Sequence, residues 1–316
     1  MAAQGWGVAV TLKAPVAQVL AFAAWYLDLG AARIWLHFDD PDDPAASLLE
    51  GHERLQIIRC HDGYWEKVAG RRPDTHQQRQ VRNVTRVLRR TGLPWVAHVD
   101  VDEFLLAARP VSDLLAELTP DRLILRAEPW EALCDPKLPD DIFTASLFRQ
   151  ALPVGREALS HALYGDLGEL LERGMLSHTV GKCFFRSGIP GMTGRIHGAR
   201  INGEPVPGGP FHPDLALLHF HAQDREGWLA RLPYRLAKGA YQYRPAMQAY
   251  LMQQSPEGVA DFYDCVQRAR PALVAALEVE GFMRREVLAL RQRVERHFPG
   301  LLHGFETAQS GVNPSA

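Results

Sequence analysis

A chain of 316 residues, 47% of them hydrophobic, has apolar surface for one large core or two modest ones, which argues against disorder except in a polar tail over 306–316. Thirty-five Lys and Arg against 37 Asp and Glu leave a formal charge of -2, so nothing in the bulk charge attracts nucleic acid or an anionic membrane, and an anionic ligand must be held locally. Four cysteines without a C-x-x-C pair argue against a zinc knuckle and a disulfide framework, and no run approaches the roughly 18 apolar residues of a membrane span, so a cytoplasmic chain with no transmembrane segment is expected.

In chain order, GVAVTL (Gly7 to Leu12) reads as a short buried strand, and Val16 to Leu29 as an apolar helix opened by Pro15. RIWLHF (Arg33 to Phe38) and RLQIIRC (Arg54 to Cys60) are again strand-like, being short and rich in branched or aromatic residues. Between Asp74 and Thr91 the period turns helical: Asp74 and Gln77 make a capping box, and Val81, Val84 and Leu88 share a face. WVAHV (Trp95 to Val99) and RLILRA (Arg122 to Ala127) are the next strands. Residues 128–176 are broken by Pro and Gly and give no clear assignment. VGKCFFR (Val180 to Arg186) and LALLHFH (Leu215 to His221) follow as strands, and from Asp224 on the chain reads as helices, with Pro233 disturbing the first. Alternating strands and helices predict an α/β fold with a mostly parallel sheet flanked by helices.

In such a sheet, ligands sit beyond the carboxyl ends of the strands. Acidic residues recur there: Asp39 and Asp40 after RIWLHF, Asp62 shortly after RLQIIRC, Asp100 and Asp102 after WVAHV. An extended D-x-D would place both aspartates on one side of the chain, where two oxygen donors suit a hard divalent cation shared with substrate phosphates. Plainer readings stand beside this one. Asp100 and Asp102 would cap a turn or pair with Arg79 or Arg82, Asp39 and Asp40 would form a solvated turn before Pro41, and Lys182 would snorkel from an edge strand. His219 and His221 share a strand face and compete for any ligand role.

DVDEF after a strand, preceded by a helix bearing Gln77, Gln80 and Asn83 and by FDDPDD, resembles glycosyltransferase family two in its branch with the D-x-D-E-F motif. VGKCFFR, the His in GRIHGAR, and LLHFHAQDREGWLARL are similar to later segments of that branch, and the likeness spans roughly 7 to 240. The resemblance implies a GT-A type, Rossmann-like fold and a metal-dependent transferase that moves a sugar from a nucleotide-sugar donor (UDP- or GDP-sugar) to a glycan acceptor or other hydroxyl, with inversion. By that pattern Lys13, Asp39, Asp100 and Lys182 bind the donor, while Asp102 and His219 hold Mn2+ or Mg2+. Glycosyl transfer passes through an oxocarbenium-like centre while the departing diphosphate gathers charge, and the acceptor hydroxyl needs a base. Glu128, just after RLILRA, is the first candidate for that base and Asp135 the second.

The sequence departs from the family where an Asn-Glu pair usually follows the first-strand Lys: Lys13 is followed by Ala14 and Pro15. This favours the alternative of a non-catalytic nucleotide- or glycan-binding protein on the same fold. A metallohydrolase of phosphate esters is the third reading, disfavoured because the closely spaced His and Asp ligands of a two-metal site are missing. The expected organisation is a nucleotide-sugar-binding and catalytic domain over 1–222, a helical portion over 223–305, and the tail over 306–316.

Overall fold

The structure is a computed structural model, described here for residues 5–135, 137–138 and 144–302. The expected tail lies outside the described residues. Two compact units share the chain: the first takes residues up to Glu128, Gly181–Leu217 and from Leu290 on, the second Pro129–Val180 and Leu218–Ala289. Residue 222, where a boundary was expected, falls within the second.

The elements run β1 (Trp6–Leu12), α1 (Val16–Asp28), β2 (Arg33–Phe38), α2 (Pro44–Leu49), β3 (Leu55–Arg59), α3 (Asp62–Ala69), α4 (His76–Arg90), β4 (Trp95–His98), β5 (Glu103–Ala107) and α5 (Val111–Ala116). Next come β6 (Ile124–Ala132), β7 (Leu147–Gln150) and α6 (Glu157–Tyr164), then β8 (Lys182–Arg186), β9 (Met192–Gly194), β10 (Ala199–Ile201), β11 (Glu204–Pro205) and β12 (Phe211–His219). The chain continues through α7 (Arg225–Ala237), α8 (Pro245–Gln253), α9 (Pro256–Val266), α10 (Pro271–Val279), β13 (Met283–Arg285) and α11 (Leu290–His297).

In the first unit the strand order is β3-β2-β1-β4-β8 and then the first half of β6. β3, β2, β1 and β4 are parallel neighbours, and β8 runs antiparallel between β4 and β6, so β6 again points the way of β4. This is the mostly parallel α/β sheet that the strand and helix pattern implied, and it is Rossmann-like, as the resemblance implied. β1 is buried along its whole length, as a strand covered on both faces must be, and its sequence WGVAVTL is correspondingly apolar. Val84, Val87 and Leu88 of α4 pack on Ala9, Trp35, Val96 and Phe185 of the sheet. The capping residue of α4 is Thr75 rather than Asp74: its hydroxyl accepts the Gln78 N–H at 3.3 Å, one position later than the expected box.

α1 is buried almost all round. Its last residue, Asp28, takes Arg293 at 2.5 Å, His297 at 2.6 Å and Arg296 at 3.2 Å from α11. Burial would raise the Asp28 carboxyl, but His297 and Arg293 outweigh it and hold the group below its ordinary value.

In the second unit the rest of β6 pairs antiparallel with β7, which pairs with β13. Helices α6 to α10 surround a core that includes Trp228, Tyr241, Phe262 and Tyr263. Asp224 caps α7 by accepting the Gly227 N–H at 3.0 Å, and the helix runs through Pro233 without a break. Among the described residues no helix is long and apolar enough to cross a membrane, and all four cysteines are free thiols.

Candidate active site

β4 ends at His98, and Asp100 to Glu103 then form a tight turn closed by the Glu103 N–H on the Asp100 carbonyl at 3.1 Å. The two aspartates of D-x-D therefore lie in a turn, and the extended backbone argued for them from the sequence is corrected. The Asp100 N–H donates back to the Glu103 carboxylate at 2.7 Å. α1 supports the strand that follows: Tyr26 donates its hydroxyl to the Glu103 carbonyl at 2.9 Å and accepts the Leu105 N–H, while the Trp25 indole donates to the Leu105 carbonyl at 2.8 Å. Phe104 and Leu105 are buried, which explains an apolar stretch directly behind the carboxylates.

Register brings Lys182 to this turn. β8 pairs with β4 so that Cys183 faces His98, which leaves Lys182 one step beyond the end of β4. Its ammonium donates to Asp100 Oδ2 at 2.7 Å and lies 3.5 Å from Glu103 Oε2. Gln80 of α4 donates its amide to Asp100 Oδ1. Lys182 is 1% exposed on a strand inside the sheet, so the edge-strand reading is overturned. Burial pushes its ammonium down, but the Asp100 and Glu103 carboxylates, with Asp102 adding to them, hold it above the ordinary lysine range. Burial pushes the Asp100 carboxyl up, and Lys182 reverses this to hold it well below the usual carboxylate range. Asp102 is half-buried on the same turn.

A second group follows β2. Asp39, 6% exposed, receives Arg72 at 2.9 Å and Arg79 at 2.8 Å, with His76 3.8 Å away. Burial would raise this carboxyl; hydrogen bonding from His76 and Arg79 and the charges of Arg79 and Arg72 bring it down to about 2. The solvated-turn reading of Asp39 is corrected, and Arg79 pairs here rather than with Asp100 or Asp102. Lys13, just past β1, makes an exposed ion pair with Asp40 at 3.3 Å. Behind these, Asn83 of α4 donates to the Thr11 hydroxyl at 2.9 Å and accepts the Tyr64 hydroxyl at 2.7 Å. Because β1, β2 and β4 are parallel, Lys13, Asp39 and Asp100 all lie along one edge of the sheet, the carboxyl edge.

Glu128 is half-buried midway along β6, the last residue of the first unit's opening segment. Asp135 belongs to the second unit, where its Oδ1 accepts the Lys137 N–H at 2.9 Å in a turn. Also in the second unit, His219 is buried at the end of β12, its ring centroid 5.1 Å from His178 and 5.3 Å from His221. His221 Nε2 meets the Arg235 guanidinium and the Tyr241 hydroxyl, both at 2.9 Å. An arginine can only donate, so that nitrogen accepts and the ring is neutral; burial first and Arg235 second hold it well below its ordinary value. His221 Nε2 is thus committed to this network.

Sequence reasoning missed Arg72 and His76 around Asp39. It also missed Glu131, fully buried, which accepts Arg149 at 2.6 Å and the N–H groups of Leu176 and Ser177 at 3.0 and 2.6 Å. A charged residue inside the otherwise apolar PWEALC was the available signal for Glu131.

Fold and site together define an α/β protein whose Rossmann-like sheet carries an ionised aspartate, a buried lysine and a second aspartate at its carboxyl edge. No family model and no curated protein matches the chain. Among solved structures, the crystal structure of S. aureus TarS 1-349 is similar over 97% of this chain and 92% of that one, at 9% identity and a TM-score of 0.31. Likeness of that degree carries no argument about chemistry.

Proposed function

We propose that this chain is a metal-dependent glycosyltransferase that moves a sugar from a nucleotide-sugar donor to the hydroxyl of a glycan or other acceptor, with inversion. The observation that carries the reading is Asp100, kept ionised by buried Lys182 at the carboxyl edge of a parallel sheet, with Asp102 two residues on. Such an edge is where open α/β sheets take nucleotides. A carboxylate with one side fixed by Lys182 and Gln80, yet about a third exposed, is suited to accept donor hydroxyls. Lys182 then acts by charging and orienting Asp100, and Arg72, with 38% of its side chain exposed, offers a cation for the diphosphate.

Asp102 supplies a hard oxygen donor of the kind Mn2+ and Mg2+ take, and His219 is carried as a second ligand on the resemblance. A bound cation would neutralise charge gathering on the leaving diphosphate. In the transfer, the bond from the anomeric carbon to the diphosphate oxygen breaks, the acceptor oxygen bonds that carbon, and the acceptor proton passes to a carboxylate, with Glu128 first and Asp135 second in line.

A nucleotide- or glycan-binding protein without turnover is the second reading. The Lys13–Asp40 ion pair favours it, since this lysine is engaged by a neighbouring aspartate. Calorimetric titration with UDP and GDP, with and without Mn2+, followed by an assay of nucleotide-sugar consumption, tests both. Metal-dependent diphosphate binding that weakens at least about tenfold in Asp102→Asn is expected. Unchanged binding in that variant would remove Asp102 from the site, and binding without donor consumption would establish the second reading.

A further inference from the structure

A cavity of about 420 Å3 opens in the first unit between β2, β3 and the C-terminal half of α4. It begins at the amino edge of the sheet, where Arg33 starts β2 and Leu93 precedes β4, and follows β2 inward to His37. The carboxyl edge, with Asp39 and Asp100, contributes nothing to its wall. Its volume is in the range of small-molecule sites.

The wall has three chemistries in sequence. Arg33, Arg86 and Arg90 bring three guanidinium groups, none in an ion pair among the described residues, and no acidic side chain joins the lining. Trp35 and Ile58, alternating with polar positions on β2 and β3, supply an apolar middle. Trp35 pairs with Ala9 on β1 and lays its indole over Gly7, where a Cβ would collide with the ring. At the inner end is His37, 1% exposed. Its Nδ1 faces the Val10 carbonyl at 3.1 Å, and a carbonyl only accepts, so Nδ1 carries the proton and Nε2 is a bare acceptor. That Nε2 is buried without a hydrogen-bond partner among the described residues. Burial, chiefly, brings the ring down to about 4, so it is neutral near pH 7. A buried acceptor left unsatisfied is costly and calls for a donor.

We propose that this cavity binds a small organic carboxylate whose apolar body rests on Trp35 and Ile58, whose anion meets the arginines, and whose far end carries an O–H or N–H that donates to His37 Nε2. Arginine matches a planar carboxylate through paired N–H groups, and the hydrogen bond at the inner end selects among carboxylates of similar size.

The test is calorimetric titration of the full chain with 4-hydroxybenzoate, benzoate and inorganic phosphate. The hydroxylated compound is expected to saturate one site about tenfold more tightly than benzoate, with phosphate weaker than both. Arg33→Gln with Arg90→Gln, both exposed and so compatible with folding, is expected to weaken 4-hydroxybenzoate about tenfold, and His37→Phe to abolish the preference for the hydroxyl. An excess of UDP with Mn2+ is expected to leave binding unchanged. No saturable binding, binding indifferent to the arginine pair, phosphate binding as tightly as the aromatic acids, or displacement by UDP would each overturn the proposal.

Discussion

Lys182 and Asp100 stand 82 positions apart in sequence and 2.7 Å apart in space, one sealed from solvent and the other about a third exposed. The pair exists because β8 enters the sheet beside β4 and runs against it, so the first residue of β8 meets a residue just past the end of β4. Removing one partner of a buried ion pair leaves the other uncompensated. Lys182→Met is therefore expected to lower stability by roughly 3–5 kcal/mol, and Asp100→Asn in the same chain to restore part of it. Urea unfolding of the two single variants and the double variant measures this; additive losses would show that the contact is not coupled.

Asp39 makes a second, independent prediction through acid stability. Its carboxyl sits at about 2 against an ordinary 3.8, so the stabilisation it provides is complete above about pH 4 and is lost as pH falls toward 2. Asp39→Asn is expected to remove about 2 kcal/mol at pH 7 and to flatten the stability profile below pH 4. Denaturant midpoints at successive pH values in that window decide the matter.

Two buried histidines act in a higher window. His37 and His98 are both brought down to about 4, chiefly by burial, from an ordinary 6.5. The unfolded chain binds their protons first as pH falls, so stability is full above about 6.5 and drops between there and 4. Midpoints at pH 7.5, 5.5 and 4.5 should fall in order, while a flat profile over this range would mean that neither ring is kept neutral.

Gly7→Ala tests the packing of Trp35. A Cβ at Gly7 would run into Trp35 Cζ3 and lie 2.9 Å from the Arg33 carbonyl, and β1 is paired on both sides and has no room to shift. Overpacking of this kind is expected to cost about 1–3 kcal/mol, visible as a lower urea midpoint with unchanged slope.

Local pattern explains which parts of the fold could be read from the sequence. RIWLHF is β2 to the residue, and Val16 to Leu29 misses α1 by a single position, because long apolar periodicity is written in neighbouring residues. β5 was missed because DEFLLA follows the DVD turn without the punctuation that normally separates strands. RLILRA was drawn too short, since Pro129 reads as a stop although β6 passes through it. At the site, the acidic residues after β2 and β4 were legible, while their partners were not. Arg72 for Asp39 and Lys182 for Asp100 depend on strand order and on where a connection returns, and no local window contains either. The edge-strand reading of Lys182 failed for this reason: nothing in VGKCFFR says that β8 has a neighbour on each side.

The grip of Asp28 on Arg293 and His297 has a consequence for biosynthesis. α1 emerges from the ribosome early, yet the helix that covers it is translated some 260 codons later, as the 265-residue separation of Asp28 and Arg293 requires. The amino-terminal fold therefore waits, with one flank open, while the whole of the second unit is made. A premature stop just before Leu290 would damage the beginning of the protein more than its end.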